Sequence, residues 1–184
     1  LNDLAERASA VGGLDKLADA LNAFKCCLDE DIEDFLHDKA MQYLERGWCS
    51  TYLVVDEDSF DNNVLNIQGY FTLSHKALIP RFASKGKIKE TGGFKEAESI
   101  HFVLIGQLGR YIDKNDDAII CGNVSGSELL DYAMEIIRSV DSLIPCRCAL
   151  VECSDNVKLH EFYTKYGFKF FQQDELHYQF YIRI

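Results

Sequence analysis

Ser125-Gly126-Ser127-Glu128-Leu129-Leu130 is the stretch that decides the fold, and it opens a helix in the last third of the chain. Ser125 and Glu128 have the spacing of a capping box, and apolar residues continue at helical spacing to about Val140. An apolar strand follows at Cys148–Cys153, and a second helix runs from Asn156 to a glycine stop at Gly167. A helix, a strand and a helix in this order, followed by more strands, indicate a mixed α/β sheet.

The part of the chain before this stretch contains amphipathic helices and apolar strands. Two short helices are predicted over residues 2–24, broken at Gly12-Gly13, and a longer helix is predicted from Asp29 to Gly47, with acidic residues at its N-terminus. Residues 56–63 are predicted to connect two strands as a hairpin, and residues 75–99 to be irregular. Strands are predicted over 51–55, 64–73, 100–108, 147–153, 168–172 and 176–184, with a polar loop between residue 109 and the Ser127 helix.

The charge of the chain is concentrated in its first third. Residues 1–61 contain 15 acidic and 5 basic side chains, whereas residues 62–184 contain 15 and 14. An acidic protein seldom binds a nucleic-acid backbone, because that affinity comes mainly from cations that neutralise phosphates. We therefore do not expect a nucleic-acid partner. The basic segment 76–95 is compatible with binding of an anionic ligand. The alternative is that this segment is a solvated lysine-rich loop.

The length and composition indicate a globular, cytoplasmic protein. A chain of 184 residues with 47% hydrophobic residues is long enough to bury a core as one domain. Its apolar runs are too short to span a membrane. Seven cysteines at irregular spacings indicate a reducing compartment rather than a disulfide framework. Because no cysteine–histidine set has the spacing of a zinc site, no metal is expected.

Three segments resemble the GNAT acetyltransferases and occur in the order of that family. Thr51–Val54 (TYLV) and Gly69–Ser74 (GYFTLS) follow an acidic helix, as they do in a bacterial and prophage-type subgroup of the family. Leu104–Gly109 is similar to the fourth strand of that subgroup. The segment from Asn156 to Phe168 matches the family ending N-x(6)-Y-x(3)-GF. The resemblance covers roughly residues 24–172.

The resemblance implies one α/β (α+β) domain over residues 1–184, with a mixed, mostly antiparallel sheet flanked by helices. Residues 1–24 are then a helical extension of the core, 24–172, and residues 173–184 a C-terminal strand. The resemblance also implies an N-acetyltransferase that uses acetyl-CoA as cosubstrate, needs no metal, and acetylates an amine acceptor that the sequence does not identify.

The pantetheine arm of the coenzyme has a defined position in the family, between the fourth and fifth strands. There it forms hydrogen bonds like an added strand. In this chain the resemblance implies that the backbone of Leu108, Gly109 and Arg110 makes these hydrogen bonds with the pantetheine arm. Asn156 matches the asparagine that faces the pantetheine in the family. The alternative for Asn156 is a helix N-cap, for which asparagine is a preferred residue.

The loop before the Ser127 helix corresponds to the acyl-CoA loop of the family, R/Q-x-x-G-x-G/A. It departs from that pattern, because Val124 replaces the middle glycine and Cys121 replaces the Arg/Gln. Backbone N–H groups at a helix N-terminus bind a pyrophosphate without specific side chains, so part of the binding chemistry is retained. The alternative is a capped helix start with no ligand. We expect the pyrophosphate on Asn123, Val124, Ser125, Gly126 and Ser127.

Tyr163 is the expected catalytic acid. A phenol with a pKa of about 10 is protonated at pH 7 and donates its proton to the departing thiolate. The alternative is a core role, because Tyr163 shares an apolar helical stripe with Leu159 and Phe162. Glu152, near the end of the fifth strand, is the best-placed general base, and deprotonation through ordered water is equally compatible with the sequence.

Two other functions remain open at this point. A toxin-like acetyltransferase that acts on aminoacyl-tRNA belongs to the same broad subgroup, and a non-catalytic module that binds a partner is possible if the loop has lost the coenzyme. The acidic N-terminal helices make a homodimer possible. The acceptor pocket is expected on the loops 44–50, 75–99 and 172–178.

Overall fold

The computed structural model describes residues 12–61, 64–115 and 118–184. In these ranges the helices are α1 (Leu14–Ala23), α2 (Glu30–Asp34), α3 (Ala40–Glu45), α4 (Glu57–Asp61), α5 (Lys85–Gly92), α6 (Gly126–Asp141) and α7 (Val157–Tyr166), and a π-helical turn, Phe35–Lys39, joins α2 to α3. The strands are β1 (Ser50–Val55), β2 (Ile67–Leu78), β3 (Ile100–Arg110), β4 (Ile112–Asn115), β5 (Ala118–Cys121), β6 (Cys148–Cys153), β7 (Lys169–Gln173) and β8 (Tyr178–Arg183).

Six strands form one sheet in the order β1-β2-β3-β6-β8-β7, and β4 and β5 form a separate two-stranded sheet. β3 and β6 are parallel, with Val103 opposite Ala149, whereas β8 is antiparallel to both of its neighbours. The result is a mixed, mostly antiparallel sheet flanked by helices, which confirms the predicted fold class.

The contacts divide the chain into two compact units. The first contains the chain up to Thr72 together with Gln107–Leu130, and the second contains Leu73–Gly106 and Asp131–Ile184. β2 and β3 therefore contribute residues to both units. That the whole chain functions as a single domain stays a prediction.

The core of the first unit is formed mainly by aromatic and aliphatic side chains from α1, from β2 and from the segment from α2 to α3. The rings of Phe24 and Tyr70 meet edge to face at 5.4 Å, and the Tyr70 hydroxyl donates a hydrogen bond to the carbonyl of Ile32 at 2.6 Å. Burying the polar tip of Tyr70 is tolerated because it has this partner. The buried members are Ala20, Leu21, Phe24, Cys26, Phe35, Leu36, Ala40, Ile67 and Tyr70.

The core of the second unit contains side chains from β2, β3, β6, β7 and β8, with α5 packed against them. Phe171 contacts Phe102 and Tyr181 edge to face, at centroid distances of 5.6 and 5.9 Å. The buried members are Leu78, Ile88, Ile100, Phe102, Cys148, Leu150, Phe171 and Tyr181.

Most predicted elements are present within a few residues of their expected bounds, because each has a strong local signal. α1, α6 and α7 and the strands β1, β3, β6, β7 and β8 are all confirmed. The first of the two predicted N-terminal helices lies outside the described residues. No helix in the described ranges is long and apolar enough to cross a membrane.

The prediction that residues 75–99 are irregular is wrong. β2 continues to Leu78, and α5 follows, with the Ser84 hydroxyl accepting a hydrogen bond from the Lys87 N–H at 3.4 Å and Gly93 ending the helix at a φ of 87°. The segment is rich in lysine and buries few side chains of α5, so its hydrophobic periodicity is weak.

Three other features differ from the sequence prediction. The polar loop after β3 contains the hairpin of β4 and β5, whose short strands hold only a few apolar residues. The connection between β1 and β2 contains α4, where Asp56 accepts hydrogen bonds from the N–H and hydroxyl of Ser59 at 3.0 and 2.6 Å. The helix predicted from Asp29 to Gly47 is interrupted by the π-helical turn, which no sequence signal indicates.

Candidate active site

The start of α6 is held by the capping box that the sequence predicts. The Glu128 carboxylate accepts a hydrogen bond from the Ser125 N–H at 2.8 Å, and the Ser125 hydroxyl accepts one from the Glu128 N–H at 3.2 Å. Hydrogen bonding from the Ser125 side chain, together with the bond from the Ser125 N–H, holds the pKa of the Glu128 carboxyl below its ordinary value. The box fixes the direction in which the first N–H groups of α6 point, and it leaves a carboxylate beside them.

The loop that leads to α6 has both bonded and unbonded backbone N–H groups. The N–H of Gly122 donates to the Tyr111 carbonyl, and that of Asn123 donates to the side-chain oxygen of Gln68, each at 2.8 Å. Among the described residues, no acceptor contacts the N–H groups of Val124, Gly126 and Ser127. The loop is therefore fixed from one side and presents three free donors at a helix N-terminus, where an anion is favoured.

Val124 shows how this loop accommodates its departure from the family pattern. Its side chain is only 6% exposed and lies in the core rather than in the loop opening. The space comes from Gly69, since a Cβ there would lie 3.0 Å from both a Val124 methyl carbon and the Gly109 carbonyl oxygen. The valine anchors the loop, while Cys121, which replaces the family's Arg/Gln, is exposed at the end of β5.

Leu108, Gly109 and Arg110 form the end of β3, next to this loop in the first unit. A Cβ on Gly109 would collide with the side chain of Ile32 and would lie 3.2 Å from the Tyr70 ring. The close approach of α2 therefore explains the glycine without any ligand. The role of the three residues in binding pantetheine stays a prediction.

Tyr163 lies in α7, in the second unit, and is buried. Its ring packs against Phe162, Phe168 and Phe180, at centroid distances of 5.2, 5.7 and 6.4 Å. Burial raises the pKa of the Tyr163 phenol, with a further increase from Cys153, so the group is protonated at neutral pH. Its hydroxyl makes no hydrogen bond to any residue in the described ranges. The ring is fixed by its neighbours and the hydroxyl is free to donate.

Asn156 is the N-cap of α7. Its side-chain oxygen accepts a hydrogen bond from the Lys158 N–H at 3.0 Å, and the helix ends at Gly167, whose φ is 118°. The capping alternative is therefore confirmed, and contact with pantetheine stays a prediction.

Glu152 belongs to a network of polar side chains in the second unit. One carboxylate oxygen pairs with the Lys76 ammonium at 2.8 Å, and the other accepts a hydrogen bond from the Gln179 amide at 2.7 Å. The same amide donates to Asp174 at 3.0 Å. Sequence reasoning missed Lys76 and Gln179, since they are 76 and 27 residues from Glu152 and share no local pattern with it.

The same network is the group of described residues that best resembles a metal site. Glu152, Asp174 and His177 offer ligand atoms within 4.8 Å of one another. Both carboxylates already accept hydrogen bonds from Gln179, and the Lys76 ammonium already neutralises Glu152. These contacts occupy both carboxylates, whereas the side-chain oxygen of Gln179 is buried without a hydrogen-bond partner among the described residues.

The predicted site residues fall into two groups. The first unit contains the loop Asn123–Ser127 and Leu108–Arg110, both of which approach Gly69. The second unit contains Glu152, Asn156 and Tyr163.

Comparison with solved structures relates the fold to a set of bacterial toxins. The structure of AtaT in complex with acetyl-methionyl-tRNAfMet has 21% identical residues and a TM-score of 0.67, over 89% of this chain and 86% of that one. A tyrosine-to-phenylalanine mutant of KacT gives the same four values. AtaTR bound with acetyl-CoA has 20% identity and a TM-score of 0.62, over 89% and 84% of the two chains.

Comparison of the sequence with protein-family models and with curated proteins finds no match. Identities near 20% between structures of nearly equal length establish a common fold. The chain therefore has the fold of these proteins, which is the GNAT fold that its sequence motifs imply.

Proposed function

We propose that this chain is an N-acetyltransferase that transfers the acetyl group of acetyl-CoA to an amine. The observation that carries the proposal is the loop before α6, with the free N–H groups of Val124, Gly126 and Ser127 at a helix N-terminus. Such donors suit the pyrophosphate of coenzyme A. The solved structures of the same fold include one bound with acetyl-CoA, which supports this ligand.

In this reaction the free amine attacks the thioester carbonyl, and the carbon–sulfur bond then breaks. The amide keeps the acetyl group, and the thiolate of coenzyme A takes up a proton. We assign that proton to the Tyr163 hydroxyl, because the phenol is protonated at neutral pH and no described residue accepts its hydrogen bond. The solved structures of the same fold include tyrosine-to-phenylalanine mutants of AtaT and of KacT. The choice of a tyrosine for mutation in both proteins supports a functional tyrosine in this fold.

The proton of the attacking amine needs an acceptor as well. Glu152 remains our candidate, with one carboxylate oxygen paired with the Lys76 ammonium and the other held by the Gln179 amide. The alternative is that ordered water accepts the proton of the amine, as in the sequence analysis. We also propose a cytoplasmic location, which the seven free cysteines support.

Binding of coenzyme A is the direct test, and Ser127 offers a matched pair of variants. Ser127 is exposed in the first turn of α6, where an aspartate is tolerated or stabilising. We expect calorimetry to detect acetyl-CoA binding to the wild-type chain, with affinity lowered at least about tenfold by Ser127→Asp and little changed by Ser127→Asn. The added carboxylate repels the pyrophosphate, whereas the neutral amide does not. Absence of binding at millimolar acetyl-CoA would contradict the proposal and favour a non-catalytic module.

A specific acceptor, aminoacyl-tRNA, is favoured by a surface of the second unit. Around α5 the side chains of Arg81, Lys85, Lys89 and Lys95 are exposed, and none pairs with an acidic group among the described residues. Two aromatic side chains lie in the same segment, Phe82 at 71% and Phe94 at 74% exposure. Cations interspersed with exposed rings are typical of surfaces that bind single-stranded nucleic acid. The AtaT complex contains acetyl-methionyl-tRNAfMet.

This proposal revises our sequence-based expectation that nucleic acid is not a partner. The excess of acidic over basic residues that motivated that expectation lies in residues 1–61, whereas the basic segment belongs to the second unit. Electrostatic attraction to phosphates depends on the local field, because charges beyond about 8–10 Å are screened at physiological salt.

Charge reversal on α5 tests the acceptor. We expect Lys85→Glu with Lys89→Glu to weaken tRNA binding at least about tenfold and to reduce the slope of log K against log salt by about two. Both side chains are exposed, so the fold and coenzyme A affinity are expected to remain. The measurements are filter binding over a salt series and acetylation of aminoacyl-tRNA by labelled acetyl-CoA.

The control is the double variant Lys158→Glu with Lys165→Glu, which makes the same change in net charge on α7. We expect it to retain most of the tRNA affinity. Equal losses of tRNA affinity in the two double variants would mean that only the net charge of the chain matters. The surface around α5 would then no longer be assigned as the tRNA-binding surface. If the chain acetylates small amines but has no affinity for tRNA, the acetyltransferase proposal stands and aminoacyl-tRNA is excluded as the acceptor.

A further inference from the structure

A glutamine of β2, Gln68, holds the loop that precedes α6. Its side chain is 9% exposed, and its amide oxygen accepts a hydrogen bond from the Asn123 N–H at 2.8 Å. Because a backbone N–H can only donate, this contact also determines which way the side-chain amide is turned. The backbone carbonyl of Gln68 accepts from the Tyr111 N–H at 2.8 Å, and the Tyr111 carbonyl accepts from the Gly122 N–H at the same distance. Gln68 therefore holds the loop twice, once directly and once through Tyr111.

The loop lies very close to β2. A Cβ on Gly122 would lie 2.7 Å from the backbone carbonyl oxygen of Gln68 and 3.1 Å from its amide oxygen. The backbone oxygen belongs to a strand and has no freedom to turn aside, so only glycine permits this approach. The next two loop residues are fixed as well, since Asn123 is bonded to Gln68 and Val124 fills the space beside Gly69. Three consecutive loop residues are thus docked on two consecutive residues of β2.

The free backbone donors of the loop come directly after this docked segment. They are the N–H groups of Val124, Gly126 and Ser127, which find no acceptor among the described residues. A loop that is already fixed loses little conformational freedom when it binds an anion, so the cost of ordering it does not reduce the affinity. The docking on β2 therefore prepares the loop for the pyrophosphate before the ligand arrives.

We infer that Gln68 is a positioning residue for the pyrophosphate of coenzyme A. It acts through the loop and not on the ligand, because its amide oxygen keeps residues 122–127 in the conformation that presents the free N–H groups. The inference rests on the proposed function, since it concerns the same ligand. When only a fraction of the molecules has the docked loop, the measured affinity falls by that fraction.

Two methionine variants test this role. Gln68→Met removes the amide oxygen and keeps the length of the side chain. The matched control is Gln172→Met in the second unit, where a glutamine that is 5% exposed accepts a hydrogen bond from the Phe82 N–H at 3.2 Å. By calorimetry we expect Gln68→Met to lower the affinity for acetyl-CoA at least about tenfold, the loss that follows when about one molecule in ten keeps the docked loop. We expect Gln172→Met to leave this affinity little changed.

A second ligand separates loss of the pyrophosphate site from a general distortion. S-acetylpantetheine lacks the pyrophosphate, so Gln68→Met is expected to bind it as the wild type does. Both methionine variants lose one buried hydrogen bond, so thermal unfolding is expected to show similar losses of stability in the two. A difference between them in acetyl-CoA affinity then reports the loop and not stability.

Amide hydrogen exchange measures the loop without any ligand. We expect the peptide containing residues 122–127 to exchange faster in Gln68→Met than in the wild type, because the loop opens more often. Gln68→Glu keeps an oxygen that can accept from the Asn123 N–H, whether or not its carboxyl is ionised, so slow exchange is expected to remain in that variant.

The outcomes distinguish this inference from the proposed function. A wild-type chain that does not bind acetyl-CoA contradicts the proposed function and, with it, this role of Gln68. If the wild type binds and Gln68→Met binds acetyl-CoA equally well, only the role of Gln68 is overturned. An equal loss of affinity for S-acetylpantetheine, or unchanged exchange of the loop in Gln68→Met, overturns it as well.

Discussion

Replacing Tyr163 by phenylalanine is expected to lower the turnover number by about 10²–10⁴-fold, the usual contribution of a positioned general acid. The fold and the affinity for coenzyme A are expected to remain, because phenylalanine keeps the ring contacts with Phe162, Phe168 and Phe180. No hydrogen bond to a described residue is lost with the hydroxyl. A loss confined to turnover marks an interaction made in the transition state rather than in binding.

The matched control is Tyr166→Phe, the same substitution one turn later in α7. The Tyr166 hydroxyl donates a hydrogen bond to Asp131 at 2.6 Å, so its loss is expected to cost about 1 kcal/mol of stability and to leave turnover unchanged. Steady-state kinetics with an identified acceptor, together with thermal unfolding, separates the two effects. Acetylation by Tyr163→Phe at the wild-type rate would mean that Tyr163 is a core residue and that its catalytic assignment is wrong.

The pH dependence gives a second check on Tyr163. Burial raises the pKa of its phenol above the ordinary value of about 10, so the proton is present throughout the neutral range and into the alkaline range. Turnover is therefore expected to show no fall from tyrosine ionisation between about pH 7 and pH 9. A fall of turnover in that window that disappears in Tyr163→Phe would contradict the proposed protonation state.

Gly109→Ala is expected to destabilise the chain by about 1–3 kcal/mol, the range found when a well-packed core is overfilled. The added methyl group would occupy the space of the Ile32 side chain and would press on the Tyr70 ring. Ile32 is β-branched and packed in the first core, so it has little freedom to move away. Urea unfolding, followed by circular dichroism, measures the change in the free energy of unfolding.

A second variant shows whether this clash is the cause. Ile32→Ala makes room for the methyl group, so the double variant is expected to be more stable than the sum of the two single changes predicts. Gly86→Ala is the control, because a Cβ there in α5 makes only an ordinary contact with the Ser84 hydroxyl at 3.8 Å, and the change is expected to be neutral or slightly stabilising. Simple additivity of Gly109→Ala and Ile32→Ala would contradict the proposed contact.

Several parts of the fold follow from the sequence because their signals lie within one helical turn. The capping box of Ser125 and Glu128, the N-cap Asn156 and the C-terminal Gly167 each act on backbone groups no more than four residues away. Such signals define where α6 and α7 begin and where α7 ends, whatever the rest of the chain does. The order of these elements was enough to indicate the fold.

Elements with weak periodicity escaped prediction. α5 buries only Ile88 and Thr91, and its lysines make the segment look like a loop. The strands β4 and β5 are four residues each, too short for a pattern to stand out. What stabilises them is contact with the remainder of their own units, which the local sequence does not contain.

The tertiary structure alone decided the surroundings of the candidate site residues. Glu152 acquires Lys76 from a strand 76 positions away, and Val124 becomes an anchor only because Gly69 leaves space for it. The sequence by itself determined the fold class and which residues to examine, because capping and periodicity depend on near neighbours. Burial, ion pairs and close packing depend on residues that are distant in the chain and meet only when it folds, so they decided that Tyr163 is buried, which raises its pKa, and that α2 packs against Gly109.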